Sequence, residues 1–205
     1  MKIVLLGANG RTGREVLKLA LAAGDKVTAL VRDVSKLVDI QDDNLTVHAG
    51  DVCDPKTVAA LLPSHDVVIS TLGPRSPRKA ACKIYSQSAT SIIAAMERSE
   101  VNRLLVISTA LLFPPRGLFD RVLGTIAGNN AREAKAMEET IRVSDLNWCI
   151  ARVGFLNSNP TDVYQFAEGR RARGGNSISR AAVASFLHSE ASSARHDQKI
   201  VGLCC

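Results

Sequence analysis

Six short apolar runs recur along the chain: "KIVLL" (2–6), "KVTALV" (26–31), "LTVHA" (45–49), "DVVIST" (66–71), "RLLVIS" (103–108) and "NWCIAR" (147–152). Most are apolar almost throughout, the pattern of strands covered on both faces. Between them the period changes to that of a helix. "TGREVLKLALAAG" puts Val16, Leu17, Ala20 and Leu21 on one face, and Gly24 ends it. "DPKTVAALL" offers Asp54 as N-cap and Pro55 at the first helical position. A longer helix carries Tyr85, Ala89, Ile92, Ile93 and Met96, and another carries the thin stripe Ala134, Met137, Glu138 and Ile141. "RAAVASFLHSE" (180–190) predicts a last helix, followed by a short apolar end, "KIVGLCC". Strand alternating with helix predicts an α/β protein, a doubly wound parallel sheet with helices on both faces. With no internal repeat or low-complexity linker, residues 1–205 read as a single domain. Two stretches break the rhythm, 111–128 and 157–177. Each follows the carboxyl end of a strand, where ligands bind in such sheets, so both read as substrate-side loops.

Composition changes this picture little. A chain of 205 residues buries roughly 70% of its unfolded surface and needs no disulfide or metal to fold. No run reaches the ~20 apolar residues of a membrane span. The first apolar run meets glycine by residue 7, too short for a secretory signal, so a cytoplasmic location is expected. The five cysteines, Cys53, Cys82, Cys149, Cys204 and Cys205, lack C-x-x-C spacing, and neither a metal site nor a disulfide framework is expected. The net charge of +6 gathers in "PRSPRK" (74–79) and "GRRARG" (169–174). With few aromatics and no base-reading motif, these read as a solvated basic face or as a rim attracting an anionic cofactor, not as a nucleic-acid site.

The chemistry begins at "VLLGANGRTG" (4–13). Gly7, Gly10 and Gly13 fall between the first strand and the first helix. Glycine lets a backbone turn tightly and approach a ligand closely, and the following helix offers unpaired N–H groups and a positive dipole end. Together they predict a cradle for a pyrophosphate. Arg11, at the loop-to-helix junction, either reaches along the cofactor or lies in solvent. The second strand ends "ALVRD". An acidic residue here binds the ribose 2′-hydroxyl of NAD, whereas a guanidinium suits the 2′-phosphate of NADP. Arg32 and nearby Lys36 favour NADP; Asp33 keeps NAD as the alternative.

"GANGRTG", "VRD", "GDVCD", "VVISTLG", "LLVISTA", "AKAMEE" and "SDLNWCIARVGFL" follow one another in the order found in NmrA-like proteins. The chain resembles these atypical short-chain dehydrogenases over nearly its whole length, "ISRAAVASFL" included. It is also close in size and plan to biliverdin-IXβ/flavin reductases. The resemblance implies an NAD(P)-binding Rossmann fold. It implies that Gly7, Asn9, Gly10, Arg11 and Thr12 form the pyrophosphate loop, closed by Gly13. Arg32 and Lys36 would contact the 2′-phosphate, and Asp51 and Val52 the adenine edge. Leu72 and Gly73 would lie by the ribose and nicotinamide, with Ser108 and Thr109 beside the nicotinamide.

The sequence departs from the family at one point. Short-chain dehydrogenases carry a Tyr-x-x-x-Lys helix whose tyrosine is the acid or base. Lys135 stands where that lysine is expected, but four residues earlier is Ala131. The expected reaction is therefore NADPH-dependent reduction of a conjugated acceptor, such as a flavin or quinone, for which solvent supplies the proton. Ser108, Thr109 and Lys135 would line the reacting centre. Phe113 and Phe119 would form an apolar wall, Arg75 or Arg116 would attract an anionic substrate, and Tyr164 lies in the substrate-side loop. The alternative is a dinucleotide-binding sensor that acts on a protein partner without catalysis. A nucleotide-sugar epimerase is weaker, because the usual larger C-terminal substrate domain is missing.

Overall fold

The computed structural model describes residues 1–74, 76, 78–115, 117, 122 and 126–205. The strands are β1 (Lys2–Leu6), β2 (Lys26–Val31), β3 (Leu45–Ala49), β4 (Val67–Ser70), β5 (Arg103–Thr109), β6 (Asn147–Val153), β7 (Phe155–Asn157), β8 (Gln165–Glu168), β9 (Ser177–Ser179) and β10 (Lys199–Cys204). The helices are α1 (Arg11–Ala22), α2 (Pro55–Ala59), α3 (Lys79–Cys82), α4 (Ile84–Met96), α5 (Gly128–Arg142) and α6 (Arg180–Ser193), with 3-10 turns at Val34–Leu37 and Ala110–Leu112.

Eight strands form one sheet in the order β3-β2-β1-β4-β5-β6-β10-β8. All pair in parallel except β8, which runs antiparallel to β10 at the edge. β7 and β9 make a separate parallel pair. This is a doubly wound α/β sheet of Rossmann type. Successive side chains of a strand point to opposite faces, so the apolar runs serve two cores. Ile3 and Leu5 of β1 pack under α1 and α6 with Val16, Leu17, Val183 and Phe186. Val4 and Leu6 face the other way, under α2, α4 and α5 with Val58, Ile92, Met137 and Ile141. Asp54 caps α2 by accepting from the Lys56 and Thr57 N–H groups at 3.1 and 3.2 Å.

Three features differ from the pattern read along the chain. β3 is half exposed instead of covered, because it is the sheet edge. The "KIVGLCC" end is an interior strand, β10, between β6 and β8. The second substrate-side loop contains β8 and the start of β9. Among the described residues, no helix is long and apolar enough to cross a membrane, and no group of three or more His, Cys, Asp or Glu is placed to hold a metal ion.

Candidate functional site

The sheet changes direction between β1 and β4, since β2 and β3 lie on one side of β1 and the later strands on the other. A crevice opens at the carboxyl ends of the strands at such a switch point. The glycine loop lies there. Gly7 has φ +89°, a left-handed conformation, and a Cβ on it would stand 2.9 Å from Thr71 Oγ1. A Cβ on Gly13 would stand 2.2 Å from the Gly7 carbonyl oxygen, so only glycine lets α1 start this close to the loop. Gly10 donates to the Gly7 carbonyl at 2.9 Å and closes the turn. Gly10 is also the N-cap of α1. No side chain caps that helix, and its first turn holds no acidic residue. Its leading N–H groups and dipole are therefore left for an anion. Thr12 is buried and Arg11 exposed at this start. Arg11 does not line the cleft; with burial as the larger cause, its charge holds the Arg180 guanidinium below its usual range.

From this loop the cleft, about 650 Å³, runs in two directions. Toward β2 and β3 it is lined by Asn9, Arg32, Lys36, Asp51, Val52 and Cys53. Asn9 donates from Nδ2 to the Asp33 carbonyl at 3.0 Å, tying the glycine loop to the end of β2. Its Oδ1 is buried without a hydrogen-bond partner among the described residues. The Asp33 carboxylate accepts from the Ser35 N–H at 3.1 Å and the Ser35 hydroxyl at 2.6 Å, and lies 3.7 Å from Lys36 Nζ. The Ser35 hydroxyl foremost, helped by Lys36, holds it below the usual carboxylate range. Asp33 thus caps its own turn. Arg32 makes no ion pair or hydrogen bond among the described residues and lines the cleft. Burial pushes the Cys53 thiol up, and Asp51 adds to the shift. A glycine cradle at an uncapped helix start, with a buried carbonyl and a guanidinium that lack partners among the described residues, fits a dinucleotide.

Toward β4 the cleft is lined by Thr71, Leu72 and Gly73, and by Ile84 and Gln87 of α4. Beyond them stands a group that the sequence reading placed differently. Ser108 is 1% exposed and donates to Glu138 Oε1 at 2.5 Å, so its hydroxyl points into the protein. Glu138 is buried and held by Arg152, whose Nε and Nη2 donate at 2.9 and 2.6 Å. Arg152 also donates to the Leu112 carbonyl at 3.1 Å and lies 4.7 Å above the Phe113 ring. Thr109 Oγ1 accepts from the Leu111 N–H at 3.3 Å and caps the turn after β5. Ala134, Met137, Glu138 and Ile141 form the buried face of α5. Lys135 falls outside that face, largely exposed and 3.6 Å from Glu139.

A second cavity, about 790 Å³, opens between Phe113–Pro115 and the segment from Gln165 to Arg173. Phe113 and Phe166 give it apolar walls, and Arg170 and Arg173 a positive rim. Tyr164 does not line it. Its ring packs edge-on against Phe186 at 5.6 Å on the α1–α6 side. Arg75, Arg116 and Phe119 lie outside the described residues. The reading along the chain missed Glu138 and Arg152 as a pair. The signal was present: a carboxylate on an apolar helix stripe and an arginine in an apolar strand both need buried partners.

Fold and cleft together define a dinucleotide-binding protein. The chain belongs to the NAD(P)H-binding family, whose profile matches residues 7–193. It is 26% identical over 172 residues to the NAD(P)H azoreductase of Xenophilus azovorans. The match covers 84% of this chain and 53% of that enzyme, so the chain spans about half its length. Among solved structures it is similar to a short-chain dehydrogenase/reductase of Veillonella parvula in complex with NADP, with TM-score 0.82 and 18% identity over 98% and 93% of the two chains. It is also similar to ChuY, an anaerobilin reductase from Escherichia coli O157:H7, with TM-score 0.81 and 23% identity over 99% and 96%. At these identities the two structures establish the fold.

Proposed function

We propose that the protein is an NADPH-dependent oxidoreductase whose electron acceptor is a conjugated, anionic molecule. The observation that carries the cofactor reading is the division of labour at the end of β2: Asp33 is spent on its own turn, and Arg32 is left to the cleft. NADPH would lie with its 2′-phosphate between Arg32 and Lys36, its pyrophosphate on the α1 start and its nicotinamide beyond Leu72 and Gly73. Bound there, it supplies the hydride. Ala131 leaves α5 without a phenol at the usual place, which favours acceptors that spread the added charge. That one relative is an NAD(P)H azoreductase and one structural neighbour an anaerobilin reductase is in keeping with this reading. Phe113 and Phe166 would hold a flat acceptor, and Arg170 and Arg173 would attract its anionic groups.

The test follows NADPH and NADH consumption against a panel of flavins, quinones, azo compounds and simple ketones. NADPH should be preferred, with turnover on at least one conjugated acceptor and slow or no turnover on ketones. Tight NADPH binding without turnover on any acceptor would favour a non-catalytic sensor. Preference for NADH would overturn the reading of Arg32.

A further inference from the structure

We propose that Tyr85 is the proton donor of this reductase, a phenol brought to the nicotinamide end of the cleft from α4 in place of the one absent from α5. The assignment rests on the reductase reading above. A dinucleotide has its pyrophosphate in the middle. With one half toward Arg32, Lys36 and Asp51, and the pyrophosphate at the α1 start, the nicotinamide half must extend past Thr71–Gly73. There the Tyr85 hydroxyl stands 3.5 Å from the point a Cβ on Gly73 would occupy. Its neighbours Ile84 and Gln87 line the cleft from the same helix.

The ring of Tyr85 belongs to the α4–α5 core and the residue is only 6% exposed. Its hydroxyl nevertheless has no hydrogen-bond partner among the described residues. Nor is it one of the sealed unpaired polar atoms, so it keeps contact with solvent. Buried tyrosine hydroxyls usually find a partner, and this one, unpartnered among the described residues, stands behind Gly73, which lines the cleft. Burial above all, then the charges of Cys82 and Glu138, push this phenol up to about 12. Like an ordinary phenol, it carries its proton throughout the neutral range, the form a donor needs.

The step balances with the reactants already named. Bound NADPH would supply the acceptor with a hydride, two electrons and one hydrogen nucleus, and become NADP⁺. The anion so formed takes the phenol proton at an oxygen or nitrogen, and the phenolate recovers a proton from solvent. In a conjugated acceptor the atoms receiving hydride and proton can lie several bonds apart. The donor then need not stand on α5.

The chain has two tyrosines, so protein labelled with ¹³C at tyrosine Cζ gives two resonances, and Tyr85→Phe assigns them. Saturating NADP⁺ should move the Tyr85 resonance and leave that of Tyr164. Adenosine 2′,5′-bisphosphate, which lacks the nicotinamide, should bind and move neither. Tyr85→Phe should keep the unfolding midpoint and the NADPH affinity, because the hydroxyl has no hydrogen-bond partner to lose among the described residues. Its turnover on the best acceptor should fall about 10²-fold or more, the scale of general acid catalysis. A Tyr85 resonance unmoved by bound NADP⁺, or full turnover in Tyr85→Phe, would overturn the assignment and leave the reductase reading standing. Absence of NADP⁺ binding, or of turnover in the wild type, would remove both.

Discussion

Arg32 and Asp33 are neighbours in sequence and differ in what their charges already do. The Asp33 carboxylate is satisfied by Ser35 and approached by Lys36. The Arg32 guanidinium borders the cleft without an ion pair among the described residues. Arg32→Ala should therefore weaken NADPH binding by about 1.5–3 kcal/mol, the scale of a hydrogen bond to a charged group. NADH, which has no 2′-phosphate, should bind the variant as it binds the wild type. Fluorescence titration of both cofactors checks this, and equal losses would show that Arg32 does not discriminate between them. Lys135 makes the opposite case. Its side chain is 69% exposed beside Glu139. Lys135→Met should leave both cofactor affinities unchanged and alter stability by no more than ~0.5 kcal/mol, as surface changes usually do. A parallel loss of both affinities would mean that α5 turns toward the cleft when cofactor binds.

At the scale of elements, helix periodicity carried much of the fold and one long-range pair was hidden. The 3.6-residue stripe in 134–141 located the buried face of α5, including Glu138. It also separated Lys135 from that face, but the family motif outweighed the periodicity in reading the site. β8 and β9 were not legible because they are short strands inside a glycine- and arginine-rich stretch, defined by partners distant in sequence. The glycine cradle and Arg32 were legible because their chemistry is local to one strand–turn–helix. Glu138 and Arg152 were not, since only the fold shows that α5 and β6 meet at Ser108. That pair joins three elements and the turn carrying Phe113. Glu138→Ala should cost about 3–5 kcal/mol, because it leaves a largely buried guanidinium without its partner. It should also raise the KM for the acceptor as the Leu112–Phe113 turn loosens, with NADPH affinity less affected. Urea unfolding and steady-state kinetics measure the two effects, and an unchanged KM would confine the pair to stability.

At the scale of the whole molecule, a second group of buried charges lies at the end of the sheet away from the glycine loop. Arg103 begins β5 and Asn147 begins β6. There, away from the glycine loop, Glu190 of α6 accepts from Arg103 Nη2 at 2.6 Å and from the backbone and ring nitrogens of His196, each at 2.7 Å. Arg103 further pairs with Asp197 and donates to the Asn147 carbonyl at 3.3 Å. The group therefore fastens α6 and the start of β10 to the central strands. β5 has seven residues, which at ~3.3 Å per residue separates the two ends by roughly 20 Å. Effects at such distance without shared partners are usually additive. Glu190→Ala removes an acceptor from two donors that stay buried, and should destabilise the fold by about 3–5 kcal/mol. Glu190→Gln keeps the side-chain shape and one acceptor oxygen, and should cost less. Below the unfolding transition both variants should bind NADPH as the wild type does. Denaturant unfolding with and without cofactor separates the outcomes. A loss of affinity in the folded Glu190→Gln protein, matching its loss of stability, would show that the far end of the sheet is coupled to the cleft.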